Sequence, residues 1–215
     1  MNHSEKVIDL KCLRALDNIL LGIFLLIPIA VFYGWISTIS FVLFKYIYIV
    51  PMIIICHATF AIPKDIHKNN EWVMVLKRLR FFSAGVVALS PFWGWCHTVT
   101  GNIYIFTNVI FLILFSMLYI YNFVTLVVIS AKEHGWLGFM LFAKLTRLTI
   151  IYIIIAPLVA FIFTTWYMKN SLWSIIIFFI EYQNLILPFI LIPLLMANFI
   201  LIQWRRKMEL NLHQA

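Results

Sequence analysis

The chain has 215 residues, of which 64% are hydrophobic and 11% charged, with a formal net charge of +8. Soluble domains carry about a quarter charged residues, so this composition excludes a soluble globular fold and points to an all-α, polytopic membrane bundle. The longest polar connection is residues 63–80, which makes 1–215 a single transmembrane domain, and the excess of Lys and Arg reads as orientation in the bilayer rather than nucleic-acid binding.

Residues 1–17 carry Lys6, Lys11 and Arg14 ahead of an apolar run. No small-x-small cleavage site follows, so an uncleaved signal-anchor is expected. Ser4 as a cap, with Val7, Leu10 and Leu13 on one face, predicts an amphipathic lead-in lying on the inner surface; a solvated tail is the alternative. From Asn18 to Ile62 the single charge is Lys45. One helix of that length would measure about 67 Å at about 1.5 Å per residue, twice the bilayer core of about 30 Å. Two spans are therefore expected, at 18–36 and 43–62, with Lys45 near the outer interface, its stem along the lipid and its ammonium among head groups.

The basic stretch 63–80 holds Lys64, Lys68, Lys77, Arg78 and Arg80. It reads as a cytoplasmic loop, where Lys and Arg accumulate and where anionic head groups or an acidic partner can bind. The third span, 81–99, is the least hydrophobic. Its Ser83, Ala84, Gly85, Ala88, Ser90 and Gly94 let helix backbones approach closely, which makes it the candidate packing or partner face. Thr100, Gly101 and Asn102 form the turn into a long fourth span at 103–130.

Residues 131–147 form a second cytoplasmic connection, with Lys132, Lys144 and Arg147 and an interfacial-helix character. The fifth span is 148–168. Residues 172–182 read as an outer interfacial segment, 185–204 as the sixth span, and Arg205-Arg206-Lys207 opens the tail. Fourteen of the 16 Lys and Arg then fall on the inner side, with both termini cytoplasmic. Trp35, Trp93, Trp95, Trp166 and Trp173 fall near the outer boundary and Trp72, Trp136 and Trp204 near the inner one, as an aromatic belt does.

Candidate chemistry is sparse. Glu181 is the acidic side chain inside an apolar block, and an intramembrane carboxylate points to function. With Gln183 and Asn184 it forms a polar patch at the depth of Lys45; the alternative is the water-exposed end of an interfacial helix. The pairs Cys56-His57 and Cys96-His97 use metal-ligand types, but the topology sets them at opposite faces, so neither a metal site nor a disulfide is expected; His57 is a further candidate functional polar residue, with a hydrogen-bonded packing role as the alternative. Prolines occur in five spans and predict kinks, which transporters also use to free backbone groups for ions.

No nucleotide, hydrolase or metalloprotease motif occurs, so a non-enzymatic protein without cofactors is expected. The first expectation is a binder of another membrane protein, or of its own copies, such as an immunity or exclusion factor or an assembly subunit. The second is a small transporter or channel acting as an oligomer, and the third a membrane enzyme of lipid metabolism. The abundance of Ile, Phe, Lys and Asn suggests an AT-rich bacterial gene, hence the inner (plasma) membrane.

Overall fold

A computed structural model describes residues 3–38, 46–66, 69–98, 102–167 and 183–214. The described residues are helical throughout apart from short connections, with no strand among them. In chain order the helices are α1 (His3–Thr38), α2 (Ile49–Ala61), α3 (Asn70–Leu89), α4 (Pro91–Thr98), α5 (Ile103–Glu133), α6 (Leu137–Tyr167) and α7 (Gln183–Gln214), with a 3-10 turn at Lys64–Ile66. Two stretches among the described residues are long and apolar enough to cross a membrane, Val7–Ile29 and Ile103–Glu133.

Each helix packs against its neighbours in the chain, and α5 lies at the centre, against α3, α6, α7 and α4. Most of its second half is buried, from Ile120 through Ala131 with Tyr121 partly covered. One cluster joins six helices at a single end of the bundle. Leu16 and Ile19 of α1, Ala58 of α2, Trp72 and Leu76 of α3, Val124 of α5, Ala143 of α6 and Trp204 of α7 all belong to it. The beginning of α1 and the end of α7 therefore lie at the same end, tied there by an Arg205–Asp17 ion pair. Lys11, Arg14, Lys77, Arg78, Lys132 and Arg206 are exposed around it, and we call it the basic end.

Local chemistry explains the boundaries. Asn69 and Asn102 each accept N–H bonds from the first turn of the helix that follows, at 2.9 Å from Glu71 and 3.0 Å from Tyr104, as N-caps do. After Glu133 the chain leaves α5 through Gly135, whose φ of 68° is left-handed. Bonds from Trp136 N–H to the Ala131 carbonyl and from Gly135 N–H to the Lys132 carbonyl complete a Schellman stop.

Several expectations are corrected. The lead-in is not a separate surface helix. Cys12, Leu13, Leu16 and Ile19 form one buried stripe, with no breaker before Leu20, so the segment continues α1 into the core. The stretch 63–80 is not a loop throughout, because from Asn70 onward it is the first half of α3. Trp72, Val75, Leu76 and Leu79 recur there at helical spacing and are buried. The 131–147 connection shrinks to a turn at 134–136, with α6 beginning at Leu137. α2 has 13 residues, about 20 Å of helix, well short of the expected 43–62. Trp72 and Trp204 are fully buried rather than part of a belt. Their indole N–H groups reach Pro63 O at 3.4 Å and Ser130 Oγ at 3.1 Å, so neither needs the interface for a polar partner.

A proline coincides with a break between helices at Pro91. α3 ends at Leu89 and α4 begins at Pro91, whereas α1 runs through Pro28, α6 through Pro157 and α7 through Pro188 and Pro193.

Candidate functional site

The most unusual geometry among the described residues is the break between α3 and α4. Pro91 has no N–H, so the Val87 carbonyl loses its helical donor; Ser90 N–H and Ser90 Oγ both supply bonds to it, at 3.3 Å and 2.7 Å. One turn on, the bond between Gly94 N–H and the Ser90 carbonyl is replaced by a side chain from another helix. Tyr48, in the turn before α2, donates its hydroxyl to Ser90 O at 2.9 Å and accepts Gly94 N–H at 2.9 Å. The ring is 4% exposed, so both backbone groups are satisfied away from water.

Gly94 makes that approach possible. A Cβ there would lie 2.9 Å from Tyr48 Oη and 3.0 Å from Tyr46 Cε1. A side chain wedged into a helix ladder is a recognised cause of a bend. Here it turns an unfavourable proline step into a three-helix joint between α2, α3 and α4.

A second polar line runs between α2, α3 and α5. Thr59 Oγ1 donates to Ile55 O at 2.7 Å, which leaves the Tyr119 hydroxyl, 2.9 Å away, to donate to Thr59. Cys56 Sγ donates to Ser83 Oγ at 3.6 Å, and Ser83 donates to Arg80 O at 2.8 Å. Arg80 in turn donates one guanidinium nitrogen to Phe60 O at 3.0 Å and Ile62 O at 2.7 Å, with its charge 5.6 Å above the Phe60 ring. It closes the C-terminus of α2, where a cation meets the negative end of the helix dipole. Burial pulls its pKa below the ordinary arginine value.

The basic end has its own arrangement. Trp204 meets Trp72 and Phe123 edge-on, at centroid distances of 6.4 Å and 5.8 Å. Lys207 Nζ sits 5.2 Å from the Trp136 ring centroid, and Trp136 stacks on His134. Arg205 bonds both Asp17 and Glu209; the Asp17 hydrogen bond foremost holds its pKa above the usual value.

The expected residues separate into groups. Glu181 and Lys45, like Lys68 and the 172–182 segment, lie outside the described residues. Gln183 and Asn184 open α7, with side chains outside the described set, so the expected polar patch around Glu181 lies outside the described residues. His57 is exposed on α2. Cys12 and Cys56 are free thiols.

The small-residue face of α3 and α4 divides. Ser83, Ser90 and Gly94 are buried within the chain. Gly85 abuts Phe115, whose ring an added Cβ would overlap. Ala84 and Ala88 remain exposed, beside the 64% exposed Phe81. Among the basic residues, Lys64, Lys77 and Arg78 are exposed and Arg80 is the cap just described. Sequence reasoning missed Tyr48, Thr59 and Tyr119; no single-sequence signal separates a hydroxyl that bridges helices from an interfacial tyrosine.

Among the described residues no group of three His, Cys, Asp or Glu is placed to hold a metal ion. Comparison with family models, curated proteins and solved structures finds no match.

Proposed function

We propose that this chain is a non-enzymatic integral protein of a bacterial inner membrane that works by binding another membrane protein, as an immunity or exclusion factor or an assembly subunit does. In this reading it has six spans, both termini are cytoplasmic, and the basic end faces the cytoplasm. α2 covers only about two thirds of a bilayer core of about 30 Å, so the second span includes residues before Tyr48.

The carrying observation is how the hydrogen-bonding side chains are used. Tyr48, Thr59, Tyr119, Ser83, Ser90 and Arg80 each satisfy a group of the chain itself. Beyond the exposed Lys77 and Arg78, what α3 turns outward is apolar, with Phe81, Ala84 and Ala88 at three- and four-residue steps. Small residues on a lipid-facing helix favour close helix contact.

Cross-linking in native membranes, followed by mild-detergent purification and mass spectrometry, tests this. A stoichiometric membrane partner is expected, lost from Ala88→Leu while insertion stays normal. A clean preparation without a partner, or one that Ala84→Leu and Ala88→Leu both leave intact, contradicts it.

The α3–α4 break favours a second reading, a small transporter or channel acting as an oligomer. Interrupted helices supply ion-binding backbone groups in transporters, and Glu181, Lys45, Gln183 and Asn184 would supply the polar path. Flux into vesicles that Glu181→Gln abolishes would move the assignment to transport; no flux, or flux unchanged by that substitution, removes it.

A further inference from the structure

The surface seam between α5 and α6 holds a cavity of about 150 Å³ lined by Leu118 and Tyr121 of α5 and Ile151 and Ile155 of α6. It is open on one side and carries no charged lining group. Arg147, Ile151 and Ile155 follow at four-residue steps on one face of α6, which places Arg147 about 6 Å nearer the basic end than Ile151. Arg147 is half-buried, and its Nε is enclosed without a hydrogen-bond partner. Lys144, one turn earlier, is exposed. A buried guanidinium N–H left unpaired costs free energy; Arg80 Nε is unpaired too, but its guanidinium already caps α2, whereas Arg147 stands at the mouth of an apolar groove where a ligand can reach it.

We propose that this seam is a binding site for one anionic phospholipid, its acyl chain in the Leu118–Tyr121–Ile151–Ile155 groove and its phosphate on Arg147 with Lys144 alongside. The inference rests on the membrane reading above. The apolar groove excludes a polar solute. Two cations at its basic-end mouth match an amphipathic ligand with a negative head, the arrangement by which basic pockets between helices take anionic head groups. Arginine suits this role because its planar fork meets phosphate oxygens in pairs. Tyr121, at the other wall, has a phenol able to donate to the ester region.

The test uses the full chain, purified in mild detergent, exposed to mixed phosphatidylglycerol and phosphatidylcholine and read by native mass spectrometry. Wild type is expected to retain phosphatidylglycerol preferentially. Arg147→Gln should reduce that retention by about fivefold, Ile151→Trp should reduce retention of both lipids by filling the groove, and Arg206→Gln should change nothing. Equal retention of the two lipids by wild type, or full retention by Arg147→Gln, overturns the site. So does a dimer that Ile151→Trp dissociates, because a second copy would then occupy the groove. Should the Gln variant not be recovered folded, Arg147→Lys carries the test: a reduced preference supports the site and an undiminished one overturns it. Alkaline carbonate releasing wild type from membranes would instead sink the membrane reading.

Discussion

Tyr48 shows how much one hydroxyl can settle. Its oxygen sits between a carbonyl and an N–H that would otherwise bond each other in an unbroken helix. Tyr48→Phe keeps the ring and removes both bonds, while the Ser90 carbonyl keeps its bond from Trp93 N–H, so the loss should cost about 1 kcal/mol. A lowered midpoint in a detergent melt checks it, and an unchanged midpoint means that Gly94 simply reaches Ser90 again. Arg80 makes a parallel case at the other end of α2. Arg80→Gln should destabilise by about 1–2 kcal/mol through the uncapped Phe60 and Ile62 carbonyls, readable in the same melt. Arg205 and Asp17 are half-exposed, so a double-mutant cycle should give a coupling of under about 1 kcal/mol. None of these roles was legible in the sequence. Arg80 sits among four other basic residues and reads as topology, and Tyr48 reads as an interfacial aromatic.

Helices were legible where their own pattern decides them and not where a partner does. The apolar runs around 103–130 and 148–168 announced α5 and α6, because only a helix satisfies its backbone in lipid. The beginning of α3 was misread, since charges among apolar residues resemble a loop until the Trp72–Leu79 stripe finds the core. Gly135 marks a helix stop that spacing alone left inside a broad connection.

The small residues of α3 and α4 carry the clearest contrast between elements. Gly85→Leu should destabilise the chain by about 1–3 kcal/mol through collision with Phe115. Ala88→Leu, on the outward face, should leave the melt unchanged and affect only association. Equal behaviour of the two variants in the melt would mean that the face is not divided as described.

At the scale of the whole molecule, the beginning of α1, the end of α7 and the turns after α2 and α5 meet at the basic end. The Lys and Arg bias, read from sequence as the inner side, falls there because those same segments share one core with Trp72 and Trp204. The polar patch around Glu181 was the least decidable part of the sequence, since one carboxylate in an apolar block fits a pore and an interface equally. The central claim is that the basic end faces the cytoplasm of a membrane-spanning bundle. Single cysteines at Asn102, Gly135 and Asn211, placed in a chain whose own cysteines are replaced by alanine, test it with an impermeant thiol reagent on intact cells. The account predicts that position 102 is labelled and that 135 and 211 are protected until the membrane is opened. Labelling of 135 or 211 in intact cells, or protection of all three after opening, would contradict it.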